Sequence, residues 1–330
     1  MKRGFMETVV SGARPTGRLH LGHLHGALKN WLRLQKDYRC FFFVADWHAL
    51  TTDYSSPQGI QQSAREMVMD WLSVGLDPKQ CVLFRQSSIK EHAELHLLLS
   101  MITPVPWLER NPTYKEQIRE LVGRDLSTYG FLGYPVLQAA DIMMYKAHKV
   151  PVGVDQAPHV ELTREIVRRF NQVYRPIFPE PEVLLTETQR FPGLDGRKMS
   201  KSYNNAVFLS DLPKEIEQKL GRMMTDPARV RRQDPGEPEK CPAFRLHKIY
   251  CAPQEIEEVS QGCRSAGIGC LDCKRVMIKH VVAEMAPFRE KRAAYEKRPA
   301  DVDDVLAAGN RVAREKAAET MGEVRSAVGL

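Results

Sequence analysis

The pattern that constrains the fold most is a regular alternation of short apolar runs with stretches of helical periodicity through the first half of the chain. Glu7 to Val10 is an apolar run ending in the Gly-rich segment Ser11 to Gly17, and helical spacing follows through Leu21, Leu24, Leu28, Trp31 and Leu32. Cys40 to Ala45 reads as a second buried strand, Ile60 to Leu72 as a helix with Met67, Met69 and Leu72 inward, and Cys81 to Phe84 as a third strand. Tyr134 to Tyr145 and Asp155 to Phe170 read as further helices, split by the Pro-containing Val150 to Val154. This predicts an α/β fold built on a doubly wound parallel sheet, with its ligand beyond the carboxyl ends of the strands.

Beyond Pro192 the strand signal fades and helices dominate, ending in an amphipathic one with Val302, Val305, Leu306, Val312 and Val324 at helical spacing. The expected division is a sheet domain over residues 1–190, a polar loop over 191–205, a second, α-helical domain over 206–300 and a final helix over 301–330. A chain of 330 residues suits one large or two modest domains and buries about 75% of its surface. With 43% hydrophobic and 27% charged residues, disorder and a fibrous repeat are excluded. The longest apolar stretches, such as Phe41 to Ala45, are only strand length, and Met1 to Val10 has no apolar signal core, so we expect a cytoplasmic protein with no membrane partner. The net charge of +7 permits a polyanionic partner without demanding one.

Two loops carry phosphate chemistry. His20-Leu21-Gly22-His23 stands at the expected start of a helix, where free N–H groups and the dipole favour an anion and Gly22 allows a phosphate close to the backbone. The same two histidines also suit a polar helix face or a metal pair. The second loop, Lys198-Met199-Ser200-Lys201-Ser202, offers two compact cations and two hydroxyls to a departing pyrophosphate; alone it also reads as a solvated basic hinge.

Together, in this order, the loops are the double signature of class I aminoacyl-tRNA synthetases, which this chain resembles. Asp46 to Thr51, Tyr134 to Asp141, Val150 to Gln156 and Arg222 to Asp226 narrow the resemblance to bacterial-type tryptophanyl-tRNA synthetases over nearly the whole chain. It implies a Rossmann-like catalytic domain, a homodimer, ATP, Mg²⁺, L-tryptophan and tRNA(Trp) as ligands, and acyl transfer to the tRNA's terminal adenosine. His20, His23, Lys198 and Lys201 would stabilise phosphoryl charge, and Gly22, Met199, Ser200 and Ser202 would bind ATP. The resemblance makes Asp141 the acceptor for the indole N–H, a role its chemistry suits; as a plain helix residue it would sit at the surface. It also implies Val150 and Val152 flanking the indole, Gly153 and Asp155 on the ribose, Gln156 on the ammonium group, and Tyr134, Gln138 and His48 in the pocket. Capping alone would also explain Asp155. Arg14, Gln138 and Val154 depart from the commonest pattern, where Gln, Met and Glu are usual. The rivals are a tyrosyl enzyme, a metabolic nucleotidyltransferase and a non-enzymatic RNA-binding relative.

Seven cysteines are many for a cytosolic chain. Cys263 follows Cys241 after 21 residues, Cys270 after six more and Cys273 after two more, a set of four thiols suited to tetrahedral Zn²⁺ or a [4Fe–4S] cluster, or to plain burial. A subset of tryptophanyl-tRNA synthetases holds an iron–sulfur cluster on a very similar array, which makes the cluster the expected occupant; Cys251 is an alternative to Cys241. Arg229, Arg231, Arg232, Lys291 and Arg292 form a basic set that suits an RNA backbone and equally reads as a solvated basic face.

Overall fold

The computed structural model describes residues 6–120, 126–185 and 191–330. Its centre is one sheet of five parallel strands, β1 (Thr8–Ala13), β2 (Arg39–Val44), β3 (Cys81–Arg85), β4 (Lys149–Val152) and β5 (Glu182–Leu185), in the order 3-2-1-4-5. Successive residues point to opposite faces, and the two cores alternate accordingly. Val9, Phe42 and Val44 pack with Trp31 and Trp71 on one face, while Val10, Phe41 and Phe43 pack with Phe84, Val136 and Ile166 on the other. The first core runs on without a break into Ile216, Leu246 and Met277, so the helical part beyond residue 206 shares apolar packing with the sheet.

Pro151 stands in a strand that has neighbours on both sides. The pairing of β4 with β1 consists of Val9 against Lys149, so the N–H that proline lacks falls beyond that ladder. The helix read from Tyr134 begins at Tyr129, where the Thr128 hydroxyl caps it by accepting from the Phe131 N–H at 3.2 Å, and it continues through Pro135. Residues 21–37 are helical throughout, with a π turn over Leu24–Leu28.

Two long helices, Cys270–Lys297 and Pro299–Val328, close the chain. The last one covers the edge strand β3: Gly309 lies so close that a Cβ there would be 1.8 Å from the Leu83 carbonyl oxygen, and Asn310 Oδ1 accepts the Arg85 N–H at 2.9 Å. Among the described residues no helix is long and apolar enough to cross a membrane.

Candidate active site and cysteine cluster

The strand order reverses between β1 and β4, and the open crevice of such a sheet lies beyond the carboxyl ends at that point. His20 enters from the segment after β1, His48 from the helix after β2, Gln86 from the turn after β3 and Val154–Gln156 from the turn after β4.

His20 is buried at the start of its helix, and its backbone N–H donates to His23 Nδ1 at 3.2 Å, which leaves the His23 proton on Nε2. The two rings stand 3.8 Å apart. Gly22 permits this packing, since a Cβ there would lie 2.9 Å from the His20 ring. Burial, then His23 and Lys198, lower the His20 pKa to about 3; burial and Lys198 lower that of His23 to about 4. Both imidazoles are therefore neutral donors at pH 7 beside a lysine, and His20 Nδ1 is buried without a partner. The segment is anchored by the Leu19 N–H, which donates to Asp70 Oδ2 at 2.7 Å.

The second loop folds back on itself rather than lying open. Asn205 fixes it from three sides: its Oδ1 accepts the Ser200 N–H at 2.7 Å, and its Nδ2 donates to Asp195 Oδ1 at 2.7 Å and to the Lys198 carbonyl at 3.2 Å. Only glycine fits at residue 193, where a Cβ would fall 2.3 Å from the Asn205 amide. Met199 is buried near Gly22, and Lys201 Nζ donates to the Thr16 carbonyl at 3.0 Å, so the two signature loops meet. Lys198, Lys201 and Ser202 remain exposed, and the Ser200 and Ser202 hydroxyls lie 2.8 Å apart.

Asp141 is buried, not a surface residue. His48 Nε2 meets its Oδ2 at 2.8 Å, His92 Nδ1 meets its Oδ1 at 2.6 Å, and Gln86 Nε2 donates to both oxygens. Burial opposes ionisation, but the hydrogen bonds from His48 and His92 outweigh it and hold the carboxyl below its usual pKa. Gln86 is oriented by the Trp47 N–H, which donates to its Oε1, and His92 by Tyr145 OH, 2.7 Å from Nε2. Sequence reasoning missed Gln86, His92 and Tyr145; the available signal was Gln86's place at the carboxyl end of a strand.

Tyr134, two turns before Asp141 on the same helix, bonds His159 Nε2 at 3.1 Å, and burial raises its phenol pKa. Val150 is buried, and Gln138, Val152, Gly153 and Gln156 are half-buried. Asp155 is exposed and is not a helix cap: the helix Ala157–Val173 is preceded by Gln156, whose amide donates to Asp155 Oδ2 at 3.1 Å.

Cys241, Cys263 and Cys270 all act electrostatically on Cys273, which burial first and these thiols next push up to about 12. The four therefore lie near one another, whereas Cys251 lies by Glu255 and His247. No three of the four sulfurs lie within 4.8 Å of one another, while thiolates on one zinc at about 2.3 Å stand roughly 4 Å apart. Two buried cations adjoin them. Lys274 feels Cys270, Cys241 and Cys273, and Arg229 Nη1 lies 3.7 Å from Cys263 Sγ with its Nε buried and unpartnered. Gly236 makes room for Cys263 Sγ, which would lie 2.7 Å from a Cβ there. Two buried cations beside four thiols suit an anionic metal–thiolate group.

The basic set needs correction. Arg292 is buried against Glu66 and Asp70, and Arg229 is buried among backbone carbonyls, because a guanidinium fork suits such internal pairing. Arg231, Arg232 and Lys291 are exposed.

Comparison with known proteins extends the likeness across the chain. Residues 6–285 match the family described as tRNA synthetases class I (W and Y). The chain is 54% identical to the tryptophan–tRNA ligase of Thermotoga maritima, covering 98% of this chain and 99% of that protein, and 48% identical to that of Ralstonia nicotianae, covering 99% of each. The crystal structure of Campylobacter jejuni tryptophanyl-tRNA synthetase complexed with ADP and tryptophan superposes with a TM-score of 0.88 at 32% identity, covering 98% of this chain and 100% of that one. With the sheet order, the paired loops and this full-length identity in agreement, the chain belongs to the class I tRNA synthetase family of the tryptophan and tyrosine enzymes.

Proposed function

We infer that this chain is a tryptophan–tRNA ligase: it activates L-tryptophan with ATP to tryptophanyl-adenylate and pyrophosphate, then esterifies the terminal adenosine of tRNA(Trp). The observation that carries this is identity with tryptophan enzymes over the full length of both chains, with both signature loops present. Asp141 accepts the indole N–H between Val150 and Val152, with Tyr134, Gln138 and His48 completing the slot and Gln156 taking the ammonium group. Gly153 and the exposed Asp155 take the ribose of ATP, and Gly22, Met199, Ser200 and Ser202 line its phosphate path.

The tryptophan carboxylate attacks the α-phosphorus in line as the bond to pyrophosphate breaks. Neutral His20 and His23 donate to the phosphoryl oxygens, and Lys198 and Lys201 take up the charge growing on the leaving group. Mg²⁺, when bound, supplies further neutralisation of the triphosphate. A ribose hydroxyl of the tRNA, the 2′-hydroxyl in this class, then attacks the activated carbonyl and AMP leaves.

The four cysteines are assigned to a [4Fe–4S] cluster, supported by their nearness to one another and by the buried Arg229 and Lys274, which balance an anionic group; Zn²⁺ is the alternative. The helical residues 206–300 face the tRNA through Arg231, Arg232 and Lys291. A homodimer is expected to cover the exposed apolar residues Leu97, Met101 and Val105. Parallel ATP–pyrophosphate exchange assays with tryptophan and tyrosine test the assignment: tryptophan should drive exchange, and exchange with tyrosine alone would overturn it. Iron and sulfide analysis of anaerobically purified protein tests the cluster, and zinc alone at these cysteines would overturn that choice.

A further inference from the structure

Beside the four cysteines stands a second donor set that neither the adenylation site nor the cluster uses. Cys251 follows the helix Pro242–Tyr250, Glu255 lies in the first turn of the helix Pro253–Arg264, and His280 projects from the helix Cys270–Lys297. One donor atom from each, a thiol sulfur, a carboxylate oxygen and an imidazole nitrogen, lies within 4.8 Å of the other two, and no other such trio occurs among the described residues. We propose that Cys251, Glu255 and His280 form a separate binding site for a single zinc ion.

The chemistry and the spacing agree. Thiolate, imidazole and carboxylate are the three zinc ligand types, bound at about 2.0 to 2.3 Å, so a tetrahedral ion holds its ligands roughly 3.5 Å apart. His280 Nε2 is 2.9 Å from both Glu255 oxygens and would open slightly to admit the ion. The surrounding bonds orient the ligands. Glu255 Oε2 accepts the Ala252 N–H at 2.9 Å, leaving Oε1 for the metal, and His247 Nδ1 lies 3.3 Å from Cys251 Sγ. Because Glu255 and His280 are about one-third exposed, an ion can enter from solvent and a water can take the fourth position. His247 Nε2 lies 3.3 Å from Cys273 Sγ, so one buried imidazole spans the two metal sites.

The test uses full-length, anaerobically purified protein, with zinc and iron measured separately and Co²⁺ added after zinc removal as a spectroscopic probe. Wild type should carry about one zinc per chain beyond its iron, and Co²⁺ should show a thiolate charge-transfer band. Cys251→Ser with His280→Ala should abolish both while iron content and tryptophan-dependent exchange persist. Glu255 also caps its helix, so Glu255→Gln provides a variant that keeps the capping bond but loses the anionic ligand. It should weaken zinc binding by roughly tenfold or more with an unchanged melting curve of the zinc-free protein. Absence of zinc from wild type, a double variant that loses no zinc equivalent relative to wild type, or wild-type zinc affinity in Glu255→Gln would each overturn the proposal.

Discussion

Gln86 Nε2 lies 2.8 and 2.9 Å from the two oxygens of Asp141, so an amide at the end of β3 grips a carboxylate on a helix 55 residues later. With His48 and His92 this holds the carboxylate ionised and fixed before any substrate arrives. Asp141→Asn keeps the shape and removes the charge, and kcat/KM for tryptophan should fall by about 10²-fold, mainly through KM. Steady-state exchange kinetics measure this; an unchanged tryptophan KM would remove Asp141 from the pocket.

Lys198 is exposed beside two neutral histidines, the arrangement needed to meet charge that develops on a leaving pyrophosphate. Lys198→Ala should slow adenylate formation by roughly 10² to 10³, the size of one charge-stabilising donor, with little change in tryptophan affinity. Single-turnover kinetics separate the two effects, and wild-type turnover would refute the role.

In the folded chain His20 and His23 stay neutral down to about pH 3 and 4, whereas an unfolded histidine takes up a proton near 6.5. Below pH 6.5 the unfolded chain therefore binds more protons. The stabilisation is fully present above 6.5 and is lost as pH falls toward the folded values, by up to about 1.4 kcal/mol per pH unit for each group. Melting curves between pH 8 and pH 5 should show this decline, and His20→Asn should flatten it. Equal slopes in the two proteins would contradict the assignment.

Arg292 neutralises buried Asp70 and half-buried Glu66, and Asp70 in turn holds the backbone just before His20. Burial, with Glu66 adding to it, raises Asp70 to about 6 even though Arg292 and the Leu19 N–H pull the other way. Arg292→Met should cost about 3 to 5 kcal/mol of stability, because it strands a buried charge, and should raise the KM for ATP. Denaturant titration reads the first effect and exchange kinetics the second.

Two glycines on the last helix should respond with opposite signs. Gly309→Ala drives a methyl into the Leu83 backbone and should cost roughly 3 kcal/mol or more, whereas Gly322 has open space around it and Gly322→Ala should gain about 1 kcal/mol. Thermal melts of the pair decide whether this helix is seated against β3.

The strands β1 to β3 and the two phosphate loops were legible because their signals are local. Runs such as Cys40 to Val44 are apolar enough to be buried on both faces, and a His-Leu-Gly-His turn carries its anion chemistry within four residues. The strand β5 escaped notice because Glu182–Leu185 is a half-exposed edge of four residues, too short and mixed to stand out.

By itself the sequence determined the alternating sheet, the signature loops and the set of thiols. Tertiary structure alone decided what Asp141, Arg229 and Arg292 mean, since each is a charged residue whose character depends on partners far along the chain. Asp141 lies 93, 55 and 49 residues from His48, Gln86 and His92, and Arg292 lies 222 from Asp70. Periodicity reports which face of an element is apolar, but the cost of a buried charge is settled only when folding brings its counterpart within hydrogen-bond reach, which put Asp141 in a buried network with His48, Gln86 and His92 and made internal ties of Arg229 and Arg292.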